Sequence, residues 1–163
     1  MFRISRLTDY GIVVMAHLAE CKDDDSHNAR ELAEDTQLPA PVVSKILKSL
    51  TRAGLLVSQR GSKGGYSLAR APSEIPVVEM ITALEGPVGI TECTIHPGAC
   101  AQESNCQVRN PWHRINGVLH AALDKITLAD LAKPADPENP FVPLTGIDGS
   151  KEDHTKLATK VLE

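Results

Sequence analysis

The apolar and polar positions near the N-terminus follow the period of an amphipathic helix. Between residues 6 and 20, apolar side chains recur at steps of three and four residues, and Ser5 is a favourable N-cap before them. These apolar positions are Leu7, Tyr10, Val14 and Leu18. The spacing predicts a first helix that buries one face and exposes the other.

Two shorter helical segments and a hairpin follow along the chain. Residues 28–36 predict a second helix and residues 39–54 a third, which prolines open and Gly54 closes at a C′ position. Residues 55–70 have the pattern of two short strands around a glycine-rich turn. This order predicts a winged helix-turn-helix, so the expected fold is mainly α with a small β wing.

The second half of the chain predicts one long amphipathic helix. Residues 75–86 form a fourth helix that ends at Gly86, and the pair Asn110-Pro111 is a favourable start for the long one. Its apolar stripe consists of Ile115, Val118, Leu119, Ala122, Leu123 and Ile126. A small DNA-binding domain does not need such a stripe, so we expect a dimerisation helix rather than one that packs only onto its own domain.

These patterns divide the chain into four segments. A length of 163 residues, 42% of them apolar, suits one compact domain with an added element or tail. The segments are a winged helix-turn-helix domain over 1–86, a cysteine-bearing loop over 87–109, a dimerisation helix region over 110–132 and a flexible tail over 133–163.

The formal net charge of -4 conceals an uneven distribution. Residues 1–70 carry ten Lys and Arg against eight Asp and Glu, whereas residues 71–163 carry seven against thirteen. Residues 39–70 contain six of the basic side chains and no acid. A cationic segment of this kind favours contact with phosphate, although a solvated basic surface would have the same composition.

The third helix and the hairpin carry the residues that we expect to contact DNA. In a helix-turn-helix, the second helix of the motif lies in the major groove, with polar and basic side chains on its outer face. Glycines at a hairpin tip allow close approach of the backbone, and basic side chains there suit phosphate or a narrow minor groove. The expected DNA-binding residues are Pro41, Ser44, Lys45, Lys48, Arg60, Lys63 and Gly64.

Three of the four cysteines lie in a short stretch broken by glycine and proline. Cys93, Cys100 and Cys106 cannot all pair as disulfides, and six and five residues separate them, unlike the close pairs of most zinc sites. An iron–sulfur cluster is therefore favoured, with a structural zinc completed by a nearby His and a metal-free thiol sensor as alternatives. Cys21 is isolated in the sequence and is expected to be inert.

The order of elements, the wing sequence VSQRGSKGGYSLAR and the three cysteines before the long helix resemble the Rrf-two family of bacterial regulators. The resemblance covers roughly residues 1–130. Within the family, the sequence is similar to IscR- and NsrR-like members and most similar to regulators of SUF-type iron–sulfur assembly operons. The resemblance implies a homodimer that binds promoter DNA through the winged helix and an iron–sulfur cluster, 2Fe-2S or 4Fe-4S, through Cys93, Cys100 and Cys106.

One departure from the family concerns the fourth ligand of that cluster. IscR-like members have a His three residues after the last Cys, where this chain has Arg109, which stays protonated and cannot ligate. The remaining candidates are His96, His113 and Asp9. Asp9 coincides with the position from which NsrR-like members donate an Asp across the dimer, so the resemblance favours Asp9 of the partner subunit. The alternative is an acid favoured by the first turn of a helix.

The remaining expectations concern the class of protein and its compartment. The chain has no apolar run long enough to span a membrane and no signal-peptide core, so we expect a cytoplasmic protein without a membrane partner. An electron carrier or a cluster-handling protein is a second class, but such a protein would not need a winged helix. An enzyme should show a nucleophile or an acid–base set, and the sequence shows neither. We therefore expect a transcriptional regulator that is not an enzyme.

Overall fold

A computed structural model describes residues 3–21, 26–61 and 64–133. The described residues are mainly helical, with one two-stranded antiparallel sheet, which confirms the predicted fold class. No helix among them is both long and apolar enough to cross a bilayer. The elements are α1 (Arg6–Glu20), α2 (Ala29–Asp35), α3 (Ala40–Arg52), β1 (Leu56–Ser58), β2 (Tyr66–Leu68), α4 (Val77–Glu85), α5 (Glu92–Ile95), α6 (Arg109–Lys125) and α7 (Leu128–Leu131), with short 3-10 turns at Pro72–Glu74 and Glu103–Asn105.

The helix ends of the N-terminal half follow the predicted caps. The Ser5 hydroxyl accepts a hydrogen bond from the Thr8 amide at 3.3 Å at the start of α1. After α3, Gly54 adopts a φ of 76°, a left-handed conformation that favours glycine. The Leu55 amide then donates to the Leu50 carbonyl at 3.0 Å, so the chain turns tightly from α3 into the wing.

One prediction for the second half is wrong. Helix α6 begins at Arg109 with Val108 in the cap position and no side-chain cap, so Asn110 does not cap it. Pro111 is tolerated in the first turn because amides there have no acceptor within the helix. Within the predicted loop segment 87–109, a capping box of Thr91 starts the single-turn helix α5.

The hydrophobic core lies where α1, α3 and α4 pack against one another. Its fully buried side chains include Val14, Met15, Ile46 and Leu47. Helices α1 and α4 cross closely at Gly11, where an added Cβ would lie 2.3 Å from a Leu84 methyl carbon. Burial of each large aliphatic side chain contributes about 1.5–3 kcal/mol, so this core stabilises the platform from which α3 projects.

Helix α7 returns the chain to that core from beyond α6. The Val77 amide donates to the Ile126 carbonyl and the Leu128 amide to the Ile75 carbonyl, both at 2.8 Å. The side chain of Leu128 is 0% exposed and belongs to the same hydrophobic cluster. The C-terminal end of α6 is therefore fixed to the N-terminal domain, although α6 itself has no buried residue.

The wing is attached to the connection between α1 and α2 as well as to α3. Strand β1 pairs with β2, with Leu56 opposite Leu68. The His27 amide donates to the Tyr66 carbonyl at 3.1 Å, and the Tyr66 amide donates to the His27 carbonyl at 2.8 Å. A Cβ at Gly65 would lie 2.7 Å from the His27 backbone, so this approach requires glycine.

Candidate functional site

Helix α3 divides its side chains between the core and the outer surface. Its four buried residues, Val43, Ile46, Leu47 and Leu50, are all 0% exposed. Of the predicted DNA-binding residues on this helix, Pro41, Lys45 and Lys48 are exposed and Ser44 is half-buried. The apolar face thus holds the helix in place, and the polar face is presented outward.

The charge of the cationic segment is not all available to a ligand. The Arg70 guanidinium lies 2.5 Å from the Glu79 carboxylate of α4, which engages it within the chain. Among the described residues, no ion pair involves Lys45 or Lys48. Lys45 and Lys48 on α3 therefore present positive charge outward, whereas the charge of Arg70 is engaged within the chain.

The tip of the wing is a tight turn in which the backbone geometry favours glycine at two positions. The Gly64 amide donates to the Gly61 carbonyl at 2.9 Å, and Gly61 adopts a φ of 122°. A Cβ at Gly64 would lie 2.4 Å from the Gln59 carbonyl oxygen. The neighbouring Arg60 is exposed, whereas Lys63 lies outside the described residues. The turn thus brings backbone and one arginine to the end of the hairpin.

The three cysteines follow α4 and precede α6, and all three are free thiols. Cys93 lies in α5 with 8% exposure, and its Sγ is 3.2 Å from the Thr91 hydroxyl oxygen. Cys100 and Cys106 are half-buried in the turns that follow. The chemistry of this donor set suits an iron–sulfur cluster, because three reduced thiols lie between two helices of one chain.

The three candidates for the fourth ligand are exposed at the surface. Asp9 is exposed in the first turn of α1, in a pocket that Arg3 and Arg6 also line. His96 and His113 are exposed. Within the described part of a single chain, no three His, Cys, Asp or Glu side chains are grouped closely enough to hold a metal ion.

Helix α6 presents the first part of its predicted stripe to solvent, whereas Leu123 and Ile126 at its C-terminal end pack against the hydrophobic core of the same chain. Val118 is 71% exposed and Ile115 is 49% exposed, and Trp112 adds to the same surface at 38%. Val118 and Ile115 border a groove of about 900 Å³ between α6 and the segment before α5. The groove is lined by Ile90, Asn110, Pro111, Arg114, Ile115, Val118, Leu119 and Ala122.

Three contacts of this region were not predicted from the sequence. They are the pairing of His27 with Tyr66, the ion pair of Arg70 with Glu79, and the contact of Glu103 with Arg109. Gly65 was a signal for the first contact, since a glycine within a strand pattern often marks the close approach of another backbone. No local pattern marks the two ion pairs, because their partners are brought together by the fold.

A basic outer face on α3, followed by a hairpin with an exposed arginine at its tip, defines a winged-helix DNA-binding protein. The chain belongs to the Rrf2 family, whose sequence model, described as "Iron-dependent Transcriptional regulator", matches residues 4–134. This confirms the family expected from the sequence. The proteins of this family that the chain matches are transcriptional regulators rather than enzymes.

Individual relatives agree with this assignment. The chain is 30% identical to the transcriptional regulator CymR of Bacillus subtilis, over 83% of this chain and 94% of that protein. The solved structure of CymR, the global cysteine regulator of that species, superposes with a TM-score of 0.64 over 81% of this chain and 97% of that one.

Two further relatives belong to the groups that the sequence resembles. The regulator NsrR of Oceanobacillus iheyensis is 32% identical over 89% of this chain and 97% of its own length. The structure of T. potens IscR is 29% identical, with a TM-score of 0.62 over 85% of this chain and 91% of that one.

Proposed function

We propose that this protein is a homodimeric, iron–sulfur-sensing transcriptional regulator that binds promoter DNA. The observation that carries the proposal is the placement of three free thiols directly before a helix whose apolar stripe is exposed. The family description as iron-dependent supports the metal. We further propose, from the sequence resemblance, that its targets include genes for SUF-type iron–sulfur assembly.

In this proposal the DNA interface consists of α3 and the wing of each subunit. Lys45 and Lys48 on the exposed face of α3 reach phosphate and base edges, and Ser44 beside them contributes to base preference. Arg60 at the wing, together with Lys63, contacts the neighbouring backbone or minor groove. Two such units in a dimer require a palindromic operator.

The proposed dimer interface is the exposed stripe of α6. A solvent-facing valine and isoleucine on one helix face are typical of a surface that is covered in an assembly. Because the C-terminal end of α6 is fixed to the DNA-binding domain through Leu128, a dimer formed there sets the separation of the two α3 helices.

The proposed cluster ligands are Cys93, Cys100 and Cys106 of one subunit and Asp9 of the partner subunit. When bound, the cluster supplies a redox-sensitive group that reacts with oxidants or with small gaseous ligands. A carboxylate is a harder and weaker ligand for iron than a thiolate, so it is displaced more easily. Its position on α1 connects the ligand to the core that supports α3, which provides a route from the metal site to the DNA interface.

Anaerobic purification with iron and sulfide analysis tests the metal. The wild-type protein is expected to be coloured and to contain both, and Cys106→Ser is expected to lose them. Cys21→Ser is the matched control. Cys21 lies at the end of α1, far along the sequence from the other three cysteines, and its thiol donates to the His17 carbonyl at 3.3 Å. A colourless protein with stoichiometric zinc would replace the iron–sulfur proposal with the zinc-based alternative.

Selection of binding sites from random DNA tests the regulatory half of the proposal separately. An enriched palindrome is expected, with an affinity that falls steeply as salt rises because basic side chains release counterions. Enrichment without symmetry would contradict the dimeric arrangement, and no enrichment would contradict sequence-specific binding.

A further inference from the structure

Glu103 is an acidic side chain enclosed within the cysteine-bearing segment. Its side chain is 11% exposed, although it lies at the start of a 3-10 turn between Cys100 and Cys106. One carboxylate oxygen, Oε2, accepts a hydrogen bond from the Gly98 amide at 2.6 Å. The other, Oε1, lies 2.8 Å from Nη2 of Arg109 at the start of α6.

The two contacts of this carboxylate enclose two of the three thiols. Gly98 precedes Cys100 and Arg109 follows Cys106, so the Glu103 side chain joins the segment before one thiol to the segment after the other. The backbone bonds nearby are local, such as the Glu103 amide to the Cys100 carbonyl at 3.0 Å. The carboxylate is therefore the contact that spans the segment from 98 to 109.

The partners of the Glu103 carboxylate indicate a fixed structural contact rather than an incidental ion pair on the surface. A carboxylate with little exposure requires partners for both oxygens, and it has a backbone amide and a guanidinium. The amide comes from Gly98, whose φ of 85° favours glycine. Arg109 is 45% exposed, so the ion pair alone is a weak constraint, and the short hydrogen bond from the Gly98 amide is the second constraint on this carboxylate.

We propose that Glu103, oriented by Arg109, is a positioning residue that orders the cysteine segment before its metal group binds. This inference rests on the proposed cluster-binding function. A segment that is already ordered loses less conformational entropy when the thiols coordinate the metal, so affinity rises without any added ligand. Arg109 thus acts in the metal site by holding a carboxylate and not by coordination.

Four variants separate the parts of this contact. Glu103→Leu removes both interactions, whereas Glu103→Gln keeps an acceptor for the Gly98 amide and loses the charge that faces Arg109. Arg109→Gln removes only the guanidinium. Glu92→Gln is the matched control, because Glu92 is an exposed carboxylate next to Cys93 in the same segment.

The first measurement uses the full-length, metal-free protein and follows amide hydrogen exchange. Loss of its acceptor should increase the exchange rate of the Gly98 amide by about tenfold or more in Glu103→Leu. Exchange should change less in Glu103→Gln and should match the wild type in Glu92→Gln. Equal Gly98 exchange in the wild type and Glu103→Leu would overturn the inference, whether or not the protein binds iron.

The second measurement follows iron loss to a chelator after anaerobic reconstitution. Glu103→Leu and Arg109→Gln should lose iron several-fold faster than the wild type with an unchanged spectrum, and Glu92→Gln should not. Unchanged retention in Glu103→Leu would overturn the positioning role. Abolished iron uptake in Glu103→Leu beside normal retention in Arg109→Gln would overturn it too, since Glu103 would then be a ligand. A wild type that takes up no iron would instead refute the proposed function itself.

Discussion

Helices α3 and α6 are both amphipathic, but their apolar faces lie in different environments. Every large aliphatic residue on the inner face of α3 from Val43 to Leu50 is fully buried within the chain. On α6 no residue is buried, and Val118 is 71% exposed. An apolar pattern therefore shows that a face is suited to burial but does not identify what covers it. For α3 the covering surface is the same chain, and for the exposed part of α6 around Ile115 and Val118 we propose a second copy.

The largest expected effect tests whether the hydrophobic core that supports α3 includes α7, the helix that follows α6 in the chain. Leu128→Ala should lower the free energy of unfolding by about 2–5 kcal/mol, because Leu128 is fully buried and α7 packs against α1 and the 3-10 turn at Pro72–Glu74. Urea unfolding of the full-length protein measures it. Val57→Ala, at a 43% exposed position of β1 outside the proposed interface, is the control and should cost clearly less.

The second prediction tests the proposed covering of α6. Val118→Asp should shift a dimer toward monomer by about 100-fold or more, since a charge would be buried in the interface without a partner. It should leave the helical content unchanged, because the position is exposed within one chain. Analytical ultracentrifugation distinguishes the two states. An unchanged dimer would exclude this stripe from the interface, and a monomeric wild type would exclude the dimer.

The third prediction sharpens the role of the outer face of α3. Lys48→Ala should reduce the slope of log affinity against log salt by about 1, because one phosphate contact is lost. Arg70→Ala is the matched control, as its guanidinium is already engaged by Glu79 at 2.5 Å. Fluorescence anisotropy with the selected operator over a salt series measures both slopes. A larger change for Arg70→Ala than for Lys48→Ala would contradict this arrangement.

The smallest expected effect concerns pH and the link between α6 and the core. The Thr127 backbone amide, the Lys133 ammonium and the Thr127 hydroxyl together lower the pKa of Asp130 from 3.8 to about 2. Because the folded state favours the ionised form, this stabilisation is present above the ordinary pKa and is lost as pH falls through the folded one.

Stability should therefore decrease between about pH 4 and pH 2 by an amount typical of a lost cap, about 0.5–2 kcal/mol. Asp130→Asn should remove this part of the pH dependence, whereas Asp124→Asn, at an exposed carboxylate of α6, should retain it. Urea unfolding at a series of pH values compares the two variants. Identical pH profiles for them would show that the Asp130 cap does not contribute.

The features that could be predicted from the sequence are the local ones. Ser5 and Gly54 mark helix ends through bonds within a few residues, and the period of α3 reports its buried face directly. The start of α6 was misplaced because Asn110-Pro111 has the composition of a cap, while the chain already turns into a helix at Arg109. Composition favours a cap but does not require one.

The features that could not be predicted depend on residues distant in sequence. Leu128 enters the core through backbone bonds to a segment some fifty residues earlier, and the His27 pairing with the wing joins two loops. Arg70 belongs to the cationic segment by composition, yet the fold places it beside Glu79. Local pattern does not lead to the proposed fourth ligand either, since Asp9 and the cysteines are separated by most of the domain sequence, and only the family resemblance indicated it.

The most direct test of the central claim is a heterodimer in which one subunit carries Asp9→Ala and the other carries Cys106→Ser. If the partner subunit supplies Asp9, the intact cysteines of the first subunit meet the intact Asp9 of the second, and one complete site is restored. The purified heterodimer should then hold about half the iron of the wild type, with the wild-type spectrum and stability toward chelator. Both homodimeric variants should be labile or depleted. A heterodimer as labile as the Asp9→Ala homodimer would contradict a site completed by the second copy.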